Sequence, residues 1–204
     1  MLIQILFKDP LTFLIIAVAI LFALTIHEFF HAWTAYYLGD STAKDKGRLT
    51  INPLAHLDPF GTLFLFIVGI GWGKPVPFNP YNLRNQKWGP AFVSLAGPSS
   101  NFLMALLVGL SLRFLEPTNF AFIFFLSFFV WINLILGVFN LMPIPPLDGS
   151  HILFALFPSL ENIKTFFIQG SFLLVIVVIF FMIYIGIPFI VRPLFVLITG
   201  TSLF

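Results

Sequence analysis

PLTFLIIAVAILFALTIHEFFHAWTAYYL, residues 10–38, contains no Lys or Arg and one carboxylate, Glu28. About 20 mostly apolar residues suffice to cross a bilayer as a helix. This stretch therefore reads as a spanning helix, and it sets the class of the whole chain. Within it, TIHEFFHAWTAYY, 25–37, places two histidines and the glutamate where lipid-facing residues would be expected.

The composition agrees with a membrane setting. Of 204 residues, 59% are hydrophobic and only 9% charged, against roughly a quarter charged in a soluble domain. Such a chain cannot cover itself with polar surface, so lipid must do so. The net charge of +2 excludes the basic surface that nucleic-acid binding needs. There is no Cys, so any metal site must use His, Asp or Glu. The first 20 residues lack a basic leader and a small-residue cleavage site, and read as retained.

Three further segments are long and apolar enough to span: 90–114, 119–141 and 164–187. FGTLFLFIVGIG, 60–71, is too short and reads as a partial dip. The tail PFIVRPLFVLITGTSLF, 188–204, is interrupted by Arg192 and Pro193 and reads as re-entrant or interfacial. Lys44, Lys46, Arg48, Lys74, Arg84 and Lys87 all fall in 39–89, which places that region in the cytoplasm. The expected architecture is an all-α multi-pass membrane protein. It is one domain over 1–204, with a bundle of about four to six spanning or re-entrant helices. Its core lies at about 10–157 and its C-terminal membrane segments at about 160–204.

His27, Glu28 and His31 form His-Glu-x-x-His. On a helix, positions i and i+4 lie about 40° apart around the axis and one turn apart along it. The two imidazoles can therefore share one metal ion. Glu28 points to the neighbouring side, where it can reach water at the ion without being a ligand. Two such histidines with a Glu as general base describe a zinc metalloprotease helix. Ionisable groups within a span cost roughly 2.5–3.5 kcal/mol on insertion scales and are functional by default. Ala23, Thr34 and Ala35, with Leu24, share the histidine face. Phe22, Phe29, Trp33 and Tyr36 lie opposite, so the site is expected to face a bundle interior.

Catalytic zinc usually has three protein ligands. The best remaining donor lies in FNLMPIPPLDGSHIL, 139–153. Pro143, Pro145 and Pro146 cannot continue the third span, and the chain can fold back there. Asp148 follows on the same side as His31. Its alternative role is an N-cap of a short helix, 150–157.

HEFFH, INPLAHLDP, SLAGPSSNF and FNLMPIPPLDG occur in that order over about 20–157, and together they resemble the site-2 proteases, intramembrane zinc metalloproteases. The resemblance implies one Zn2+ per chain on His27, His31 and Asp148, with Glu28 as catalytic base. It implies that Asn140 stands near the site and helps hold substrate or oxyanion. It implies as substrate a transmembrane segment of another protein, in the lipid bilayer of a prokaryotic plasma membrane, cut towards the cytoplasmic side. It also implies a short strand near the site. GRLTINP, 47–53, alternates polar and apolar residues as a strand would, and 48–52 could clamp an unwound substrate. The PDZ or CBS domain of many members is not found in the sequence.

His56 reads as a structural histidine in a turn, and His151 as pointing away from the site. In SLAGPSSNF, Gly97, Pro98 and Asn101 read as close packing against the histidine helix. KPVPFNPYNL, 74–83, reads as an interfacial loop. The rival function is a catalytically silent scaffold or a metal transporter. A transporter needs ligands in several spans, and a silent scaffold would be expected to have lost Glu28 or a ligand.

Overall fold

A computed structural model describes residues 2–68, 71–115, 117–163 and 171–202. The elements are helical. They comprise α1 (Leu2–Lys8), α2 (Pro10–Tyr37), α3 (Thr42–Asp45), α4 (Pro59–Val68), α5 (Gly89–Leu115), α6 (Phe120–Asn140), α7 (Asp148–Leu156) and α8 (Ser171–Phe181). A π-helical stretch, Met182–Val191, then leads into α9 (Arg192–Thr199).

The 28-residue α2 starts where Asp9 accepts from Thr12 N–H at 3.1 Å and Pro10 sets the first helical φ. Apart from Ile16, its buried residues are small or polar: Ala19, Ala23, Thr25, His27, Glu28, His31, Ala32 and Ala35. Phe22, Trp33 and Tyr36 are exposed on the other side, as bulky lipid-facing aromatics should be. α6 begins at Asn119, whose side chain accepts from Phe122 N–H at 2.9 Å. It ends at the proline run, where Pro145–Pro146 is cis. α5 is central, packing on α2, α6, α7 and α9.

Among the described residues, four helices are long and apolar enough to cross a membrane: Pro10–Tyr37, Gly89–Leu115, Phe120–Asn140 and Ile176–Thr199. The first three coincide with the expected spans. The fourth lies further along the chain than 164–187, and 164–170 are outside the described residues. Helical structure runs straight through Arg192 and Pro193, so the tail is part of a span-length helix rather than a separate interfacial piece. Pro188 is absorbed by the π-helical turns, which re-pair backbone groups that a proline would leave unmatched. Val191, Phe195 and Met182 join Leu134 and Val130 in the largest buried cluster, which ties this helix to α5 and α6.

Residues 47–52 make turns and bends, and no named strand occurs among the described residues. The only strand-like pairing there is an isolated bridge, Leu57 to Gly73. Among the described residues the alternating pattern of GRLTINP has no strand partner. α4 is ten residues long and largely exposed, as the short dip predicts.

Candidate metal centre

α2 carries His27 and His31 one turn apart, both buried on its inner face. α7 brings the third group. Asp148 is the first residue of α7, with Leu147 in the cap position before it. One oxygen of its carboxylate faces the histidines. Asp148 Oδ2 stands 3.3 Å from Nε2 of both His27 and His31, and the two Nε2 atoms are 2.9 Å apart. Gly149 allows this. A Cβ there would lie 2.2 Å from the Leu141 carbonyl oxygen, so only glycine lets α7 start against the end of α6.

The protonation of the rings follows from their far sides. His31 Nδ1 is 2.7 Å from the Val93 carbonyl oxygen, which can only accept. His27 Nδ1 is 2.7 Å from Asn101 Oδ1. Both neutral rings then carry the proton on Nδ1, which leaves both Nε2 lone pairs bare. The buried Oδ2 of Asp148 also has no hydrogen-bond donor among the described residues. Three bare donors converging on one point repel each other unless a cation stands between them. Ligands of a tetrahedral zinc at about 2.0–2.2 Å lie roughly 3.3–3.6 Å from one another. Two edges of the triangle match and the third is tighter. The residues present therefore fit zinc, and this group could hold one ion.

Glu28 is buried beside this triangle but outside it. Its Oε2 accepts from Val76 N–H at 3.0 Å. Val76 belongs to an extended strap, 74–79, whose ends are tied down. Lys74 N–H donates to the His56 carbonyl at 2.8 Å, the Lys74 carbonyl accepts from Arg48, and Asn79 N–H donates to Asp40 at 2.6 Å. Burial lowers the pKa of the Arg48 guanidinium, and the charge of Glu28 opposes this. The 74–83 loop is therefore not merely interfacial: part of it covers the candidate base.

Gly97 packs against both imidazoles, and Asn101 is fully buried. The packing reading of SLAGPSSNF holds for Gly97 but is incomplete for Asn101. Asn133 on α6, fully buried behind Asn101, was not legible as a site residue at all. The signal available was its polarity inside a span. Asn140 Nδ2 donates to the Leu136 carbonyl at 3.0 Å, within its own helix. His56 is buried and bonds through Nε2 to the Thr50 carbonyl at 2.8 Å, a structural role as expected. His151 makes a ring contact with Phe78 and is outside the metal-ready group.

The profile of Peptidase family M50 matches residues 116–184, which include Asn140 and Asp148. YwhC of Bacillus subtilis, named "Putative zinc metalloprotease", is 39% identical over 151 residues, 70% of this chain and 69% of YwhC. Rip2 of Mycolicibacterium smegmatis bears the same description. It is 37% identical over 144 residues, 67% of this chain but 55% of Rip2. Rip2 of Mycobacterium tuberculosis is 33% identical over the same shares. The chain thus spans about half the length of the Rip2 proteins. No solved structure matches it.

Apolar helices of spanning length and relatives of this kind define the class as an integral membrane zinc metalloprotease, a hydrolase. The chain belongs to Peptidase family M50, the site-2 proteases, as its motifs lead one to expect.

Proposed function

We propose that His27, His31 and Asp148 hold the zinc, that Glu28 is the general base, and that the substrate is a transmembrane segment of another protein. The observation that carries this reading is the convergence of three bare donor atoms, with a buried carboxylate beside them. Bound zinc supplies Lewis acidity towards a carbonyl and makes water more acidic. Glu28 takes a proton from the attacking water and passes it to the leaving amine. The Val76 N–H holds one oxygen of Glu28, which orients the other. Buried apolar walls limit competing water and strengthen the charge interactions around the base. Asn140 supports the substrate or the oxyanion once its amide leaves Leu136. The chain is read as one peptidase domain in a prokaryotic plasma membrane. Its basic 39–89 region, and with it the site, lies on the cytoplasmic side.

Residues 48–52 complete the proposal as an edge that takes strand geometry when an unwound substrate pairs with it. Ile51 is largely exposed and 50–52 are free of helix. The test is zinc content and cleavage of a single-span test protein, measured on the detergent-purified chain. Wild type and Glu28→Gln should hold about one zinc per chain, and Asp148→Ala much less. Glu28→Gln should cut at least about 10²-fold more slowly. Thr50→Pro should keep zinc and lose cleavage. A zinc-free, folded wild type would overturn the ligand set, and unchanged cleavage by Thr50→Pro would remove the clamp.

A further inference from the structure

The hydrogen bonds behind His27 form a chain with one direction. Asn133 Nδ2 donates to the Phe129 carbonyl at 2.8 Å. Asn133 Oδ1 is therefore left to accept, and it accepts from Asn101 Nδ2 at 2.8 Å. Asn101 Nδ2 also faces the Ala23 carbonyl at 3.3 Å. Asn101 Oδ1 then has one direction to face, His27 Nδ1 at 2.7 Å. Both asparagines are fully buried, on α5 and α6, and the chain ends on α2.

We propose that Asn101, backed by Asn133, is a positioning residue that locks His27 as the Nδ1–H tautomer, so that its Nε2 can serve as a metal ligand. This deepens the zinc assignment and rests on it. His31 needs no such device, because the backbone carbonyl of Val93 can only accept. A side-chain amide is different: turned over, it would offer NH2 to His27 Nδ1 and favour the Nε2–H ring, which has no lone pair on the site-facing nitrogen. Two carbonyls, of Phe129 and Ala23, forbid that flip. Turning Asn101 would set its oxygen against the Ala23 carbonyl and the Asn133 Oδ1, with no proton between them. The Phe129 carbonyl fixes Asn133 with its oxygen towards Asn101, and without Asn133, Asn101 is held only by the longer contact to Ala23. An interhelical polar contact needs no polarity. This chain has one, and its last link is the ring nitrogen opposite the metal-facing one.

The test uses the full chain in detergent, with zinc affinity measured by chelator competition and the absorption spectrum of the cobalt-loaded protein. Asn101→Leu should weaken zinc about 10–100-fold and alter the cobalt spectrum. Asn133→Leu should weaken zinc by less than Asn101→Leu. Wild-type zinc affinity and spectrum in a folded Asn101→Leu, with only its thermal midpoint lowered, would overturn the proposal and leave a packing contact. If Asn101→Leu does not fold, Asn133→Leu decides: affinity equal to wild type overturns the proposal, and weakened affinity supports it. A wild type that binds no zinc would instead overturn the ligand set itself.

Discussion

Gly97 shows how little room the candidate site has. A Cβ at this position would lie 2.4 Å from His31 Nε2 and 2.6 Å from His27 Cε1, far inside contact distance. Neither ring can retreat without losing its Nδ1 hydrogen bond. Gly97→Ala should therefore abolish zinc binding, with an overpacking cost of about 1–3 kcal/mol. Zinc stoichiometry and thermal midpoint on the same sample check this, and full zinc content would show that the rings can move. The two histidines and Glu28 were legible in the sequence because i, i+4 spacing is a local property. Spacing offered Asp148 only as the best remaining donor, since its approach depends on how the proline run folds back, and the family resemblance named it as a ligand. Asn133 was not legible, because a lone Asn in WINLIL carries no spacing to a partner 32 residues away.

Among the elements, the strap 74–79 depends on Asp40. This buried residue, just past α2, accepts from Asn79 N–H, Asn82 Nδ2 and both the N–H and hydroxyl of Thr42. Burial raises its pKa, but these donors outweigh burial and hold the carboxyl below its usual range. A folded-state pKa below the unfolded one adds stability above the unfolded value, about 3.9, which is lost as pH falls through the folded value. Asp40→Asn, which sets an NH2 against donors, should cost roughly 1–3 kcal/mol at pH 7. The gap in thermal midpoint should stay level from pH 7 to about 5 and close below about pH 4. A gap unchanged down to pH 3 would mean that the charge of Asp40 is not what holds the strap. The strap itself was visible in the sequence only as a proline-rich loop. That it crosses Glu28 depends on ties at Arg48, His56 and Asp40, which local pattern does not encode.

For the whole molecule, the charge asymmetry predicts orientation. Lys87 belongs to the basic region, and Thr118 to the short connection between α5 and α6. The chain has no Cys, so introduced ones are unique reporters. In intact cells, Thr118→Cys should react with a membrane-impermeant maleimide, and Lys87→Cys only after lysis. The reverse pattern would place the basic region outside and contradict a cytoplasmic site.

Hydropathy and spacing were enough for the membrane class, three of the spans and the metal-ready helix, each of which rests on residues near in sequence, where period and length decide. The family came from the resemblance of four ordered motifs. The tertiary structure decided where the fourth spanning helix lies, because π-helical turns let it pass through Pro188 and Arg192. It also decided that Asp148 Oδ2 faces the two histidines, because a glycine lets α7 press against the end of α6. The polarity of the amides behind His27 is likewise tertiary: carbonyls on two other turns of helix impose it.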